Sequence, residues 1–273
     1  MKVAPTKQLR GDVAIPVVGL GVYQMTPGMP TRTAVRAALT GGYRHVDTAR
    51  IYENEEDVGA AIRESGVPRK DIFLTTKLWN ADHGYDKALK ACDASLKRLG
   101  VEQLDLYLVH WPVAKKRDDT WRAMEQLLKE KKTRAIGVSN YTVRHLEELL
   151  QGSDVVPAVN QIELHPFLFA RDIASFCEKK GIVVEAYSPL TRGERLDDPT
   201  IVRIANALGK TPAQVLIRWG LQHGFVSLPK SAHAKRIAEN FAVFDFEIPA
   251  AQMKTLDALD EGLHTCWDPT NAP

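Results

Sequence analysis

The stretch TRTAVRAALTGGYRHVD, residues 31 to 47, holds one helix followed by one strand. Its first twelve residues carry apolar side chains at helical spacing, with Thr31 placed to cap the start and the Gly41–Gly42 pair to stop it. The five that follow, YRHVD, are a short mainly apolar run bounded by turn residues, which reads as a strand. A strand covered on both faces should be apolar throughout, so Asp47 at its end stands out; such an acid is more often a cap on the next turn than a chemical group.

Outward from this unit the alternation repeats. Strand candidates are VVGLG (17–21), YRHVD (43–47), IFLTTKL (72–78), LDLYLVH (104–110), RAIGVS (134–139), AVNQIE (158–163), IVVEAY (182–187) and FVSLP (225–229). Longer amphipathic stretches separate them. One is TPAQVLIRWGLQHG (211–224), with Thr211 as cap, Pro212 at the first helical position and a terminal glycine. Eight strands alternating with helices predict an α/β fold, a closed (β/α)8 TIM barrel. The segment KQLRGDVAIP ahead of the first strand predicts a small hairpin around Gly11, and a helix over 249–259 with the tail beyond it falls outside the eightfold pattern, where both can cover part of the mouth. No Pro/Gly/Ser-rich linker divides the chain, so residues 1–273 are expected to form a single domain.

Composition narrows the function. The 273 residues are 44% hydrophobic and 26% charged, ordinary values for a globular protein, and the net charge of +2 comes from interspersed lysines, arginines and acids. A basic tract for nucleic acid is missing. The opening MKVAPTKQLR is not followed by an apolar run of leader length, and no later run suits a membrane span, so a cytoplasmic monomer without nucleic-acid or membrane partners is expected. Cys92, Cys177 and Cys266 are widely spaced and suggest neither a disulfide framework nor zinc.

Barrel active sites are built at the C-terminal ends of the strands. There the second strand ends at Asp47 with Tyr52 in its loop, the third carries Lys77 and the fourth ends at His110. Taken singly, the lysine reads as a surface or salt-bridged residue and the histidine as a core one. Together, acid, phenol, ammonium and imidazole at one end of consecutive strands suit carbonyl reduction. A carbonyl that accepts hydride develops alkoxide charge and needs a proton donor, and a phenol with a reference pKa of about 10 is a reluctant one. An ammonium at Lys77 is expected to lower that pKa, Asp47 to fix the ammonium, and His110 to hydrogen-bond the substrate oxygen.

The segments GYRHVDTARIYENEEDVG, TTKLWN, DLYLVHWP, IGVSNY, PAVNQIELHP, LPKS and RIAEN follow one another in an order and spacing that resemble the aldo-keto reductase superfamily, most closely its bacterial diketogluconate reductase-like group. The resemblance runs through nearly the whole chain. It implies NADPH-dependent reduction of aldehydes or ketones, with Asp47, Tyr52, Lys77 and His110 as the catalytic tetrad and Tyr52 as the general acid. It further implies that Ser139, Asn140 and Gln161 hold the nicotinamide carboxamide and that Tyr187 stacks on the ring. Without it, these residues could equally start a helix, satisfy backbone groups or fill the core.

The segment LPKSAHAKRIAEN (228–240) joins a strand exit to a helix bearing lysine, serine and arginine, a combination suited to phosphate or to a solvated basic face. The resemblance assigns Lys230, Ser231 and Arg236 to the adenosine 2′-phosphate and Glu239 and Asn240 to adenine. His233 stands where the family often has arginine, which predicts a weaker or pH-dependent preference for NADPH, with NADH as the lesser alternative. Arg50 and Glu53 put charge beside the tetrad loop. Gly19 and Gly21 lack the third glycine and later acid of a dinucleotide fingerprint.

Two other classes compete. His45, Asp47, His110, Glu163 and His165 could be the ligands of a metal-dependent hydrolase, but that leaves Tyr52, Lys77 and the phosphate segment without a use, and no metal is expected. A non-enzymatic NADPH-binding or redox-sensing barrel would use the cofactor segment without the tetrad. Tyr23, Trp79, Trp111 and Trp267 are candidates for an apolar substrate pocket, which suits dicarbonyls, keto sugars and aromatic aldehydes alike.

Overall fold

A computed structural model describes residues 4–273; the first three residues of MKVAPTKQLR lie outside it. The hairpin strands β1 (Thr6–Gln8) and β2 (Ala14–Pro16) pair antiparallel, with Thr6 opposite Pro16. Eight parallel strands follow: β3 (Leu20–Gly21), β4 (His45–Asp47), β5 (Phe73–Leu78), β6 (Leu104–Val109), β7 (Thr133–Ser139), β8 (Val159–Glu163), β9 (Val183–Tyr187) and β10 (Val226–Leu228). Each falls within one of the eight predicted runs or differs from it by a residue. The ring closes where Val18 bridges Ser227, with Gly19 N–H donating to Ser227 O and Ser227 N–H to Val17 O, both at 2.9 Å. The fold is thus the expected (β/α)8 barrel.

The helices are α1 (Met29–Thr40), α2 (Glu55–Glu64), α3 (Tyr85–Leu99), α4 (Arg117–Lys129), α5 (Val143–Gly152), α6 (Arg171–Lys180), α7 (Pro199–Leu208), α8 (Pro212–Gln222), α9 (Ala234–Phe241) and α10 (Ala250–Asp257). The start of α8 follows the sequence signal: the Thr211 side chain accepts from Gln214 N–H while the Gln214 side chain answers at Thr211 N–H. The start of α1 does not. It begins two residues before the expected cap, because Pro30 fits the first turn, and Thr31 lies buried inside it, donating to Thr26 O at 2.7 Å. The carboxylate of Asp57, from α2, takes the Gly28 N–H at 2.6 Å instead.

Leu9, Val13 and Ile15 of the hairpin join Phe73, Leu106, Ala135, Val159, Val183 and Val226 in one buried apolar cluster. Most of these sit where strands begin, so the hairpin plugs the N-terminal end of the barrel and leaves the C-terminal end as the mouth. Since strand side chains alternate, every second residue looks inward: His45 and Asp47 on β4, Thr75 and Lys77 on β5, Glu185 and Tyr187 on β9. Among the described residues no helix is long and apolar enough to cross a membrane.

Candidate active site

Inward alternation brings the ends of β4 and β5 together. Lys77 is fully buried, and its Nζ donates to Asp47 Oδ1 at 2.6 Å, to Thr48 O at 2.9 Å and to Tyr52 Oη at 3.4 Å. Tyr52 closes a single 3-10 turn, Arg50–Tyr52, whose shape is fixed by buried Asn54. That amide accepts from Thr48 Oγ1 at 2.8 Å and donates to Val22 O at 3.0 Å. The His110 ring stands edge-on to Tyr52 with centroids 5.8 Å apart. Asp47, Tyr52, Lys77 and His110 therefore converge in one place.

Their electrostatics differ in one respect from the expected arrangement. Burial, then the negative charge of Asp47, pushes Tyr52 well above its usual value, so the phenol is not made more acidic. The reason is that Lys77 is already neutralised by Asp47 at 2.6 Å, and the phenol faces an ion pair rather than a bare cation. Burial and the charge of Lys77 hold His110 well below the usual imidazole range. The ring is neutral, and its buried Nδ1 has no hydrogen-bond partner among the described residues.

On the neighbouring strands, Ser139 Oγ donates to Gln161 O at 2.8 Å, and Asn140, in a left-handed conformation with φ 64°, donates through Nδ2 to His110 O at 3.0 Å. Tyr187 Oη donates to Asn140 Oδ1 at 2.8 Å. Ser139, Asn140, Gln161 and Tyr187 thus adjoin the tetrad, with the Asn140 amide bound to protein at both ends. The Gln161 amide nitrogen donates inward to Asp47 Oδ2 at 2.9 Å and to Glu185 Oε2 at 2.6 Å.

At the far side of the mouth, β10 leads to exposed Lys230 and buried Ser231, whose hydroxyl accepts the His233 N–H at 3.1 Å just before α9. His233 and Arg236 are exposed. The cations and the first N–H groups of α9 form a set that fits a phosphate. Glu239 and Asn240 sit differently: Glu239 accepts from Thr211 Oγ1 at 2.9 Å, tying α9 to α8, and Asn240 is buried at the end of the helix.

The four candidate pocket rings also meet. Tyr23 packs on Tyr52 at 5.0 Å, Trp79 on His110 at 5.3 Å, and Trp267 lies 6.3 Å from Trp79 and 6.2 Å from Trp111. Trp267 reaches them because the tail is clamped by Glu163 at the end of β8. That carboxylate accepts Thr265 N–H at 2.9 Å, the Thr265 hydroxyl and Cys266 N–H at 3.1 Å, with His165 Nε2 3.3 Å away. The five residues considered as metal ligands do not gather. His45 faces Pro16 O and Thr75, Glu163 and His165 serve the tail, and among the described residues no three His, Cys, Asp or Glu side chains form a group that could hold a metal ion. The three cysteines are unpaired.

Several contributors had no place in the sequence reading: Thr48 and Asn54, which shape the Tyr52 turn, Glu163 as the tail clamp, and Glu185 beneath Gln161. The signal for Glu185 was available, since an acid inside the apolar run IVVEAY must be either unpaired at a cost or buried for a reason.

A barrel whose mouth joins an acid, a lysine, a phenol and an imidazole to an anion-binding helix start defines a class of oxidoreductase. Residues 26–261 match the aldo/keto reductase family. The chain is 51% identical over 268 residues to an aldo-keto reductase of Mycolicibacterium smegmatis, covering 97% of each. It is 48% identical over 256 residues to the glyoxal reductase of Bacillus subtilis, covering 94% of this chain and 93% of that one. A crystal structure of a Bombyx mori aldo-keto reductase in complex with NADP superposes with a TM-score of 0.91 at 36% identity, covering 97% and 96% of the two chains. This protein belongs to the aldo/keto reductase family and is an oxidoreductase.

Proposed function

We propose that the protein is an NADPH-dependent reductase of small aldehydes and ketones, dicarbonyls, keto sugars and aromatic aldehydes among them, that residues 1–273 act as one domain, and that it works as a cytoplasmic monomer. The observation that carries this reading is the contact chain Asp47–Lys77–Tyr52, at 2.6 Å and 3.4 Å, with the neutral His110 ring beside it. The names of the glyoxal reductase and of the NADP-bound relative support the substrate class and the cofactor.

NADPH, when bound, supplies the hydride. The chain's own residues do the rest. Tyr52 Oη, kept as a neutral phenol by burial, donates its proton to the substrate oxygen as alkoxide charge develops there. An alkoxide is far more basic than a phenolate, so the phenol needs no lowered pKa to be the donor. Lys77 then stabilises the phenolate across 3.4 Å, and Asp47 keeps the ammonium in place. His110, neutral, hydrogen-bonds the substrate oxygen from the other side. Ser139, Asn140 and Gln161 hold the carboxamide, for which Asn140 must exchange a protein bond, and Tyr187 supports the nicotinamide ring. Lys230, Ser231 and Arg236 bind the 2′-phosphate, and Glu239 and Asn240 line the adenine end. Tyr23, Trp79, Trp111 and Trp267 surround the substrate, with Arg50 and Glu53 exposed at the rim.

The test is the initial rate of NADPH consumption with methylglyoxal, run beside NADH, in wild type and Tyr52→Phe. Turnover that prefers NADPH and falls by roughly 10²-fold or more in the variant is expected, because a positioned proton donor contributes about that factor. No turnover by folded wild type with either cofactor would shift the reading to a non-enzymatic NADPH-binding barrel, and near-normal turnover by Tyr52→Phe would remove the tyrosine from its role.

A further inference from the structure

Glu185 lies in the middle of β9 with its side chain fully buried, and none of the roles above uses it. Its Oε2 accepts from Gln161 Nε2 at 2.6 Å, and that same nitrogen donates to Asp47 Oδ2 at 2.9 Å. A primary amide nitrogen carries two hydrogens, and both are committed here. The flipped amide would set the Gln161 carbonyl oxygen against the Asp47 carboxylate, which has acceptor oxygens and no donor. Gln161 is therefore held nitrogen-inward, and no described residue donates to its Oε1.

The other side of Glu185 determines its protonation. Its buried Oε1 has no hydrogen-bond partner among the described residues and faces His45 Nε2 at 3.6 Å. His45 Nδ1 lies 3.4 Å from Pro16 O, an acceptor that only an N–H approaches favourably, so the ring proton sits on Nδ1. Nε2 then offers its lone pair to Thr75 Oγ1 at 3.3 Å and toward Glu185. Burial holds this imidazole down at about 3, so it stays neutral. A lone pair opposite a carboxylate oxygen repels it, whereas opposite a carboxylic O–H it attracts. Burial and the charge of Asp47 push Glu185 up to about 8, against the Gln161 bond and Lys77, which act the other way. The acid proton accordingly sits on Oε1, and Oε2 remains an acceptor for Gln161.

We propose that Glu185 is a positioning residue for the cofactor: as a buried neutral acid it locks the Gln161 amide so that only its carbonyl oxygen is offered to the NH2 of the nicotinamide carboxamide, and it leaves Asp47 as the single counter-charge of Lys77. This rests on the reading that the protein binds NADPH through Gln161. The sequence signal is one acid in an apolar strand, and the effect reaches the cofactor only through Gln161.

The experiment measures Kd by quenching of tryptophan fluorescence for NADPH and for adenosine 2′,5′-bisphosphate, which has the phosphate and adenine but no carboxamide. Glu185→Gln keeps a neutral acceptor beneath Gln161 and is expected to hold NADPH within about twofold of wild type, while Glu185→Leu removes the acceptor and is expected to weaken NADPH about tenfold, the scale of one lost buried hydrogen bond. Adenosine 2′,5′-bisphosphate should bind all three proteins equally. Unchanged NADPH affinity in Glu185→Leu would overturn the proposal. So would equal weakening of both ligands, which marks a structural loss, or a Glu185→Gln variant as impaired as Glu185→Leu. Wild type that fails to bind NADPH at all, while folded, would instead remove the cofactor reading beneath it.

Discussion

Lys77 shows how a single buried charge is kept. An ammonium with no exposed surface is tolerable only because Asp47 and Thr48 O satisfy two of its hydrogens, with Tyr52 Oη taking the third at 3.4 Å. Removing one partner of such a pair leaves the other charged and alone, so Lys77→Met is expected to destabilise the protein by about 3–5 kcal/mol and to abolish most activity. Urea unfolding checks the first part; a loss under 1 kcal/mol would mean that Gln161 alone satisfies Asp47. The rim cations behave differently. Arg236 is exposed and makes no bond among the described residues, so Arg236→Ala should leave stability unchanged while raising the Kd for NADPH about tenfold and that for NADH hardly at all. Repeating the pair of titrations at mildly acidic and alkaline pH tests His233, and an NADPH preference that ignores pH would take that histidine out of the phosphate site.

At the scale of elements, close packing can outweigh intrinsic propensity. Gly59 sits inside α2, where alanine would be favoured by about 1 kcal/mol in an isolated helix. A Cβ there would lie 2.1 Å from Leu99 O at the end of α3, a backbone atom that cannot turn away. Overpacking of this kind costs about 1–3 kcal/mol, so Gly59→Ala should destabilise the protein despite its better helix residue, with thermal unfolding as the measurement. The tail depends on one strand end. Burial raises the Glu163 carboxyl, but the bonds from His165 and from the Thr265 hydroxyl and N–H outweigh it and hold it below the usual carboxylate range. A depressed acid stabilises above its unfolded pKa and loses that contribution as pH falls through the folded value. The clamp should therefore persist at neutral pH and release in acid. Glu163→Gln should release it at neutral pH, seen as faster proteolysis beyond Leu263, and cleavage at the wild-type rate would show that the clamp contributes little.

For the whole molecule, the barrel interior carries a pH dependence of its own. Glu185 is held at about 8 by burial and by Asp47, above its unfolded value near 4.5. Between those two values the unfolded chain loses a proton that the folded chain keeps, so stability falls as pH rises across that window. Glu185→Gln cannot ionise. Its melting temperature relative to wild type is expected to climb by several degrees from the lower to the upper end of the window, each kcal/mol being worth about 2 °C in a chain of this size. Parallel curves for the two proteins would show that Glu185 is not the buried acid responsible.

Much of this was legible along the chain because its causes are local. Short apolar runs alternating with amphipathic stretches located all eight strands, the Thr211-Pro212 cap located α8, and the C-terminal ends of β4, β5 and β6 with the loop after β4 held the tetrad. Thr31 was misread because Pro30 and the distant Asp57 decide where α1 begins. The altered acidity of Tyr52, the tail clamp at Glu163 and the locked amide of Gln161 were not legible, since each depends on groups brought together only by closure of the barrel. Gln161 and Asp47, 114 positions apart, share a hydrogen bond. The sequence by itself determined the barrel and the identity of its reactive groups, because apolar patterning and capping act over a few residues. Only the tertiary structure decided their charges, because burial and long-range pairing set protonation.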